Sequence, residues 1–494
     1  MNLSSRDRVR LPLVSLLALV AGLSLGGYLL ASRLIYRLGF PLDDAWIHQT
    51  YARNLALRGE WAFLPGQPSA GSTAPLWSAL LAIGHALGLG PYLWSYALGW
   101  VVLFALTLAG VHAFRRLSPH RFAAELWVGL FLGLEWHLVW AAGSGMETPL
   151  IGLLALIVLG RLVAGERNWL ALGALIGLSA WIRPDGVTLL GPALFALLLR
   201  PGPWRQRARD ALSLSLGVAL LFLPYLIFNR FLAGSWWPNT FFAKQAEYAV
   251  HRLPALWRRV LAEASLPLIG AGALLLPGFI IQTARAVRSR AWGALAGALW
   301  VLGYLFLYAW RLPVTYQHGR YVMPVMPAFF VWGLAGMLGW FQLASPVAWR
   351  RVLSRAWALS AFLVTLAFWG IGARTYAYDV AIIESEMVAT ARWVAANTPE
   401  NSLVAAHDIG ALGYFGQREL LDLAGLISPE VIPFIRDEVR LAEYLDARRA
   451  GYLVTFPGWY PWLVQRARLI YASGGNFSPA MGGENMAVYR WLLP

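Results

Sequence analysis

Apolar runs of membrane-spanning length recur through the first three quarters of the chain. They restrict its fold more than any single motif does. They lie at about residues 11–31, 93–113, 122–142, 147–163, 168–183, 186–200, 211–231, 264–284, 291–310, 321–343 and 356–373. A bilayer core about 30 Å thick takes roughly 20 apolar residues of helix, and in lipid every backbone polar group must be satisfied internally. The expected fold is therefore a polytopic α-helical membrane protein with about eleven transmembrane helices. Only 13% of the 494 residues are charged, too few to cover a soluble protein of this size. A net charge of +15 would point to nucleic acid in a soluble chain. Here the excess is arginine in short connections, where it fixes orientation, so no nucleic-acid partner is expected. The absence of cysteine excludes disulfides, thiol chemistry and Cys-ligated metal. The basic "MNLSSRDRVR" before the first run resembles a signal peptide. That run is too long for a typical signal and lacks a cleavage site, so a retained anchor is expected.

Orientation follows from arginine. With the N-terminus cytoplasmic, the inner connections are "FRRLSPHR", "RLVAGERN", "RPGPWRQRARD", "TARAVRSR" and "SPVAWRRVLSR". Each carries at least two arginines, whereas the short outer links "GSGMETP" and "WIRPDGV" carry none and one. This holds only if "APLWSALLAIGHALGLG" (74–90) is an interfacial or re-entrant helix, so residues 32–92 are read as a first outer loop with interfacial helices. Residues 1–373 then form the membrane domain. Beyond it, "SEMVATARWVAANTP" has an amphipathic helical pattern, and "SLVAAHDIGALGYFG", "RELLDLAGL" and "AGYLVTF" read as short buried strands separated by helical stretches such as "EVRLAEYLDARR". That alternation predicts a small C-terminal extracytoplasmic α/β domain over 374–494. The expected location is the inner (cytoplasmic) cell membrane.

This topology gathers the unusual polar motifs on the outer side. "PLDDAWIHQTYARN" places Asp43 and Asp44 side by side at the start of an amphipathic helix. One aspartate there is explained as a helix cap. The second adds like-charge repulsion and points to a use, such as a general base. Adjacent residues diverge by about 100° on a helix, so the two cannot flank one bond as a glycosidase pair does. One acts while the other orients a partner or ligates a cation. "GQPSAGSTAPLW", with Ser72, Thr73 and Trp77, is either a plain turn or a backbone that lets a polar substrate approach closely. Glu147 in "GMETP" is a helix-start charge, a sugar-hydroxyl acceptor or a cation ligand. Arg183 in "WIRPDG" pairs with Asp185 or binds an anion. "TYQHGRYVMP" offers Tyr316, His318 and Arg320, and "WWPNTFFAKQ" holds Lys244, the only lysine of the chain. Arginine at a membrane boundary either snorkels or grips a lipid phosphate. Asp408 in "AAHDIGALGYF" caps a helix or meets an acceptor glycan.

The stretch "DDAWIHQTYARNLALRGEWAFLPGQPSAGSTAPLW", with "GMET", "RPDG", "HGRYVMPVMP" and "HDIGALGYFGQRELLDLAGLISPE", resembles the GT-C superfamily of integral membrane glycosyltransferases. It is most similar to bacterial arabinofuranosyl- and mannosyltransferases that use polyprenyl-phosphate sugars. The resemblance runs in patches along nearly the whole chain. It implies a sugar on a polyprenyl phosphate, its tail in the lipid bilayer, and an acceptor hydroxyl on a cell-envelope glycan, glycolipid or protein. It implies that the acid of the first outer loop is the general base, with Asp43 favoured and Asp44 as helper. A phosphate leaving group needs charge stabilisation rather than a general acid; Arg320 is the first candidate, followed by Lys244, His318 and Arg183. Glu147, Ser72, Thr73, Trp77, Tyr316 and Asp408 are the expected substrate-binding residues. Some relatives use a divalent cation, so Asp43, Asp44 and Glu147 could share a Mg, Mn or Ca ion; no zinc spacing is present.

Three other functions compete. A lipid-linked oligosaccharide ligase has the same outer-face chemistry. A transporter or flippase should show charges near the bilayer midplane and two similar halves, and neither is visible. A structural scaffold leaves the acidic pair and "HGRYVMP" without a role.

Overall fold

The structure is a computed structural model and describes residues 11–118, 122–340 and 345–493. The basic N-terminal residues 1–10, the end of the "FRRLSPHR" loop (119–121) and residues 341–343 of the last-but-one expected span lie outside the described residues.

The chain is a multi-pass helical membrane protein with a small C-terminal sheet domain. Among the described residues, seven helices are long and apolar enough to cross a bilayer: Leu11–Ile35, Pro91–Leu117, Trp204–Ala233, Gly270–Arg288, Trp292–Arg311, Tyr316–Trp340 and Ala348–Asn397. An eighth candidate is the pair Ala123–Leu134 and Trp136–Gly143, bent by 50°. The bend has a local cause. Glu135 leaves the helical conformation and its carboxylate accepts the Leu138 N–H, capping the second segment. The eleven runs read from hydropathy exceed this count. Those at 147–163, 168–183 and 186–200 do form helices: Thr148–Val163, Trp169–Ile182, and Pro184–Leu189 continuing into Leu190–Leu199. At 1.5 Å per residue these are about 20–25 Å long, and with the seven long helices and the bent pair they give an apolar helix at each of the eleven runs. Pro149 and Pro184 sit at their starts, where a missing N–H costs nothing.

Helices approach closely where side chains are absent. A Cβ on Gly336 would lie 1.8 Å from the Gly278 carbonyl oxygen, so these two helices meet backbone to backbone. Exposed Leu, Ile and Phe on Leu11–Ile35, Trp204–Ala233 and Ala348–Ile383 face outward, as lipid contact requires.

The first loop folds into Asp44–Arg58, a short hairpin (Ala62–Leu64 with Gln67–Pro68) and Pro75–Ala86. The last of these, at 12 residues, is the short non-spanning helix expected near 74–90. Asp43 is not a helix cap. Its side chain makes no hydrogen bond to its own helix and turns instead to the C-terminal domain.

That domain follows Ala348–Ile383 without a loop, through a π turn at Glu384–Val388 into Ala389–Asn397. Its sheet runs Glu419–Asp422, Leu403–Ala406, Tyr452–Thr455, Ala487–Trp491, Ala467–Ala472; the first three strands are parallel and the last two join antiparallel. Leu441, Ala442 and Leu445 of the Glu438–Ala447 helix pack on the sheet, and Asp437 caps that helix through the Val439 and Arg440 N–H groups. The C-terminal ends of the parallel strands are the binding edge of such sheets. Here they carry His407, Asp408, Asp422 and the turn after Thr455, and the first two line a cavity with Asp43 and Asp44.

Candidate active site

The two acids of the first loop point apart, as neighbours at a helix start must. Asp43 Oδ2 accepts the Gly410 N–H at 2.7 Å and Oδ1 accepts the Ala411 N–H at 2.8 Å. These donors open the helical turn of "HDIGALGYF". Only glycine fits at 410, because a Cβ there would lie 2.1 Å from the Asp43 carbonyl oxygen. Arg53 donates to the Tyr414 and Gly413 carbonyls, and Trp46 packs against Tyr414 and Phe415, so the whole helix start is clamped to the C-terminal domain. Burial, with the Asp408 carboxyl close by, raises the Asp43 acid above the usual carboxylate range, against the pull of the two N–H bonds.

Asp44 turns the other way. Its Oδ2 lies 2.6 Å from Arg320 Nη2 and 4.0 Å from Lys244 Nζ. Burial opposes its ionisation, but Arg320 and then Lys244 overcome this and hold it well below the usual range. One acid is thus kept ionised and its neighbour holds its proton more tightly.

Arg320 sits at the junction of two cavities and lines both. Its Nη2 also meets the Tyr321 hydroxyl, while Nε and Nη1 have no hydrogen-bond partner among the described residues. It is preceded by a strained turn: Gln317, His318 and Gly319 all have φ between 54° and 69°. His318 Nε2 lies 2.8 Å from Asp379 Oδ2, which also accepts the Trp140 indole N–H at 2.9 Å.

The first cavity, about 260 Å³, is largely apolar, lined by Trp237, Phe241, Leu307 and Leu312, with Arg320, Lys244, Arg311, Arg183 and Glu147 in its wall. Arg183 is committed to its neighbours. It forms a two-point pair with Asp185, donates to the Tyr308 hydroxyl and lies 3.6 Å from Glu147. Tyr304 and Tyr308 donate to Asp185 in turn. Glu147 Oε2 and Thr240 Oγ1 are buried in this wall without hydrogen-bond partners among the described residues. The second cavity, about 570 Å³, lies between the membrane domain and the C-terminal domain; it holds Asp43, Asp44, Asp408, Tyr316, Glu247 and His407. His407 bridges Glu247 and the Tyr460 hydroxyl, each at 2.8 Å.

Of the residues expected from sequence, Asp43, Asp44, Arg320, Lys244, Glu147, Arg183, Thr73, Tyr316 and Asp408 line these cavities. Three do not. His318 stands behind the strained turn on Asp379. Ser72 bonds His48 and Ser78, and His48 Nε2 lies 3.5 Å from Glu147, so Ser72 props the wall from outside. Trp77 is buried with its indole N–H on the Gly145 carbonyl and packs the interfacial helices instead of facing a substrate. Arg311, Glu247, His407 and Asp379 escaped sequence reasoning, whereas Asp185 was expected as the partner of Arg183 and is. Glu247 was within reach, since it falls one helical turn after Lys244 on Asn239–Glu247.

The acids do not converge on a cation. Asp43 faces Gly410, Asp44 faces Arg320, and Glu147 belongs to the other cavity; among the described residues no three His, Cys, Asp or Glu side chains are spaced to hold a metal ion. The expected Asp43–Asp44–Glu147 cation site does not fit this geometry.

Residues 374–489 match a family described only as a domain of unknown function, DUF8728. No curated protein sequence matches the chain. Solved structures do. ArnT from Cupriavidus metallidurans, bound to undecaprenyl phosphate, has a TM-score of 0.57 at 16% identity, covering 95% of this chain and 97% of that one. The oligosaccharyltransferase of Archaeoglobus fulgidus has a TM-score of 0.62 at 12% identity, covering 90% and 69%. The arabinofuranosyltransferase AftD from Mycobacteria has a TM-score of 0.53 at 16% identity, covering 99% of this chain but 40% of its own. The chain therefore shares its fold with these three structures, in line with the resemblance its motifs carry.

Proposed function

We propose that this protein is a glycosyltransferase that moves a sugar from a polyprenyl-phosphate donor to a hydroxyl of a cell-envelope acceptor, by an inverting single displacement on the outer face of the inner membrane. The observation that carries this reading is Arg320. It is a buried guanidinium with two unpartnered nitrogens, standing where an apolar cavity meets a polar one. A lipid phosphate is the ligand class that such a cation at the end of an apolar cavity recognises best, through charge-assisted hydrogen bonds.

In this reading the donor's first isoprene units lie along the aromatic wall of the first cavity, its phosphate on Arg320 and Lys244 at the junction, and its sugar beyond them in the larger cavity, toward Asp43. The acceptor enters from the larger cavity. Its hydroxyl oxygen attacks the anomeric carbon from the face opposite the phosphate. The hydroxyl proton passes to Asp43, the C–O bond to phosphate breaks, and the phosphate leaves with the bonding electrons as a dianion held by Arg320 and Lys244. Asp44 fixes Arg320 and keeps its charge balanced before the donor arrives. The split of the acidic pair supports this division of labour, since a base works best with a pKa near the working pH.

The test is binding of undecaprenyl phosphate to the purified protein by native mass spectrometry. Wild type retains the lipid and Arg320→Ala loses it. Equal retention by both would remove Arg320, and with it the donor site, from this account.

A further inference from the structure

The larger cavity contains a feature that donor chemistry and the acidic pair leave unused. Trp459, in the turn "FPGWYPW" (456–462) after the third parallel strand, forms part of its wall and is 49% exposed. A tryptophan half in water is a poor arrangement for packing, and this one is not loosely held. Its backbone N–H donates to the Phe456 carbonyl, the Gly458 N–H donates to Glu484 at 2.6 Å, and the Phe456 ring centre lies 5.1 Å from that of Trp459. His407 meets it edge-on, at 5.2 Å and 84°. Phe456 and His407 pack against the ring, which lines the cavity and is half exposed.

Around it stand polar groups of both signs. Glu247 and His407 form an ion pair, and Arg436 donates to the Glu247 carbonyl. Tyr316, Gln317 and Asp408 complete the wall. Leu42, Ile383 and Met387 are the main aliphatic lining, so a lipid chain finds no continuous apolar surface of the kind the first cavity has. A flat aromatic face set among paired acids, histidine and arginine suits a molecule with weakly positive C–H faces and a rim of hydroxyls. That is a saccharide. At about 570 Å³ the space lies in the range of about 300–1,000 Å³ usual for small-molecule sites.

We propose that the acceptor of this enzyme is a glycan and that Trp459 is the platform on which its terminal sugar stacks, with Glu247, His407 and Asp408 reading hydroxyls. This rests on the donor reading above, and it chooses the saccharide among the acceptors that reading leaves open.

The test uses the full chain in nanodiscs, passed over immobilised neutral oligosaccharides of pentoses and hexoses, with unglycosylated peptides as the second arm. The same samples are assayed for undecaprenyl phosphate binding. Wild type is retained on at least one oligosaccharide. Trp459→Ala weakens retention by about tenfold or more, and Trp459→Phe restores most of it, because a ring face remains. All three bind undecaprenyl phosphate alike. Protein that binds the lipid but no saccharide overturns the inference and leaves the donor reading standing; so does retention on peptides alone, or saccharide binding unchanged in Trp459→Ala. Saccharide retention that follows this mutant pattern without lipid binding supports the saccharide site and overturns the donor reading.

Discussion

Arg320 Nη2 lies 2.6 Å from Asp44 Oδ2, and Arg320 is shared by the apolar and the polar cavity. In the proposed reaction the Asp44 carboxylate orients this cation and Asp43 acts on the acceptor. Arg320→Ala is expected to lower sugar transfer by about 10²–10³-fold, the usual cost of losing one preorganised donor to a developing oxyanion. Arg320→Lys should recover only part of this, since an ammonium cannot address Asp44 and a phosphate through one planar fork. Steady-state rates at saturating donor check both.

The acidic pair fixes the sign of the pH dependence. Burial and Asp408 raise Asp43, so its proton is retained at pH values where a free aspartate has lost it. The base form grows as pH rises, by about tenfold per unit below its pKa, and kcat/KM should climb through neutrality before levelling. Asp44, held low by Arg320 and Lys244, contributes no limb near neutrality. A profile flat from pH 5 to 8 would contradict the assignment of Asp43.

Gly410→Ala tests the clamp without touching either acid. The added methyl would sit 2.1 Å from the Asp43 carbonyl oxygen and 2.6 Å from Oδ2. Displacing a reacting group by about 1 Å costs on the order of 10²-fold in rate. The expected result is a large loss of kcat with undecaprenyl phosphate binding retained, and a lowered thermal stability in detergent, since overpacking costs about 1–3 kcal/mol.

Asp379 is a positioning residue of the same centre. It holds His318, in the middle of the three left-handed residues that deliver Arg320. Each such non-glycine residue costs about 1–3 kcal/mol unless its surroundings impose it. Asp379→Ala should therefore let the turn relax and raise the KM for donor more than it lowers kcat. Asp379→Glu should restore part of the affinity, a pattern that general destabilisation does not give.

The sequence and the fold agree where side-chain period and length decide the outcome. The apolar runs, the interfacial helix near Pro75 and the strands at Leu403, Glu419 and Tyr452 were legible because hydropathy and alternation carry them. Breaks inside a run were not, such as the 50° bend at Glu135 within 122–142, because hydropathy does not register a polar cap. The acidic pair stood out as one charge too many at a helix start. Its division did not, because it depends on Gly410, more than 360 residues away, and on Arg320. Trp77 differs for the opposite reason: it follows the cavity-lining Thr73 in sequence, yet its own ring is buried. Trp459 carried no signal, being one of 26 tryptophans until its exposed face was placed in a cavity.

The central claim is that Asp43 takes the acceptor's proton. The most direct measurement is transfer of radiolabel from a panel of polyprenyl-phosphate sugars in membranes containing wild type, Asp43→Ala or Asp44→Ala. Wild type should consume one donor of the panel. Asp43→Ala should reduce turnover by about 10²–10⁴-fold while still binding the lipid, as loss of a general base does, and Asp44→Ala should weaken donor binding itself. Transfer by Asp43→Ala at the wild-type rate would contradict the account.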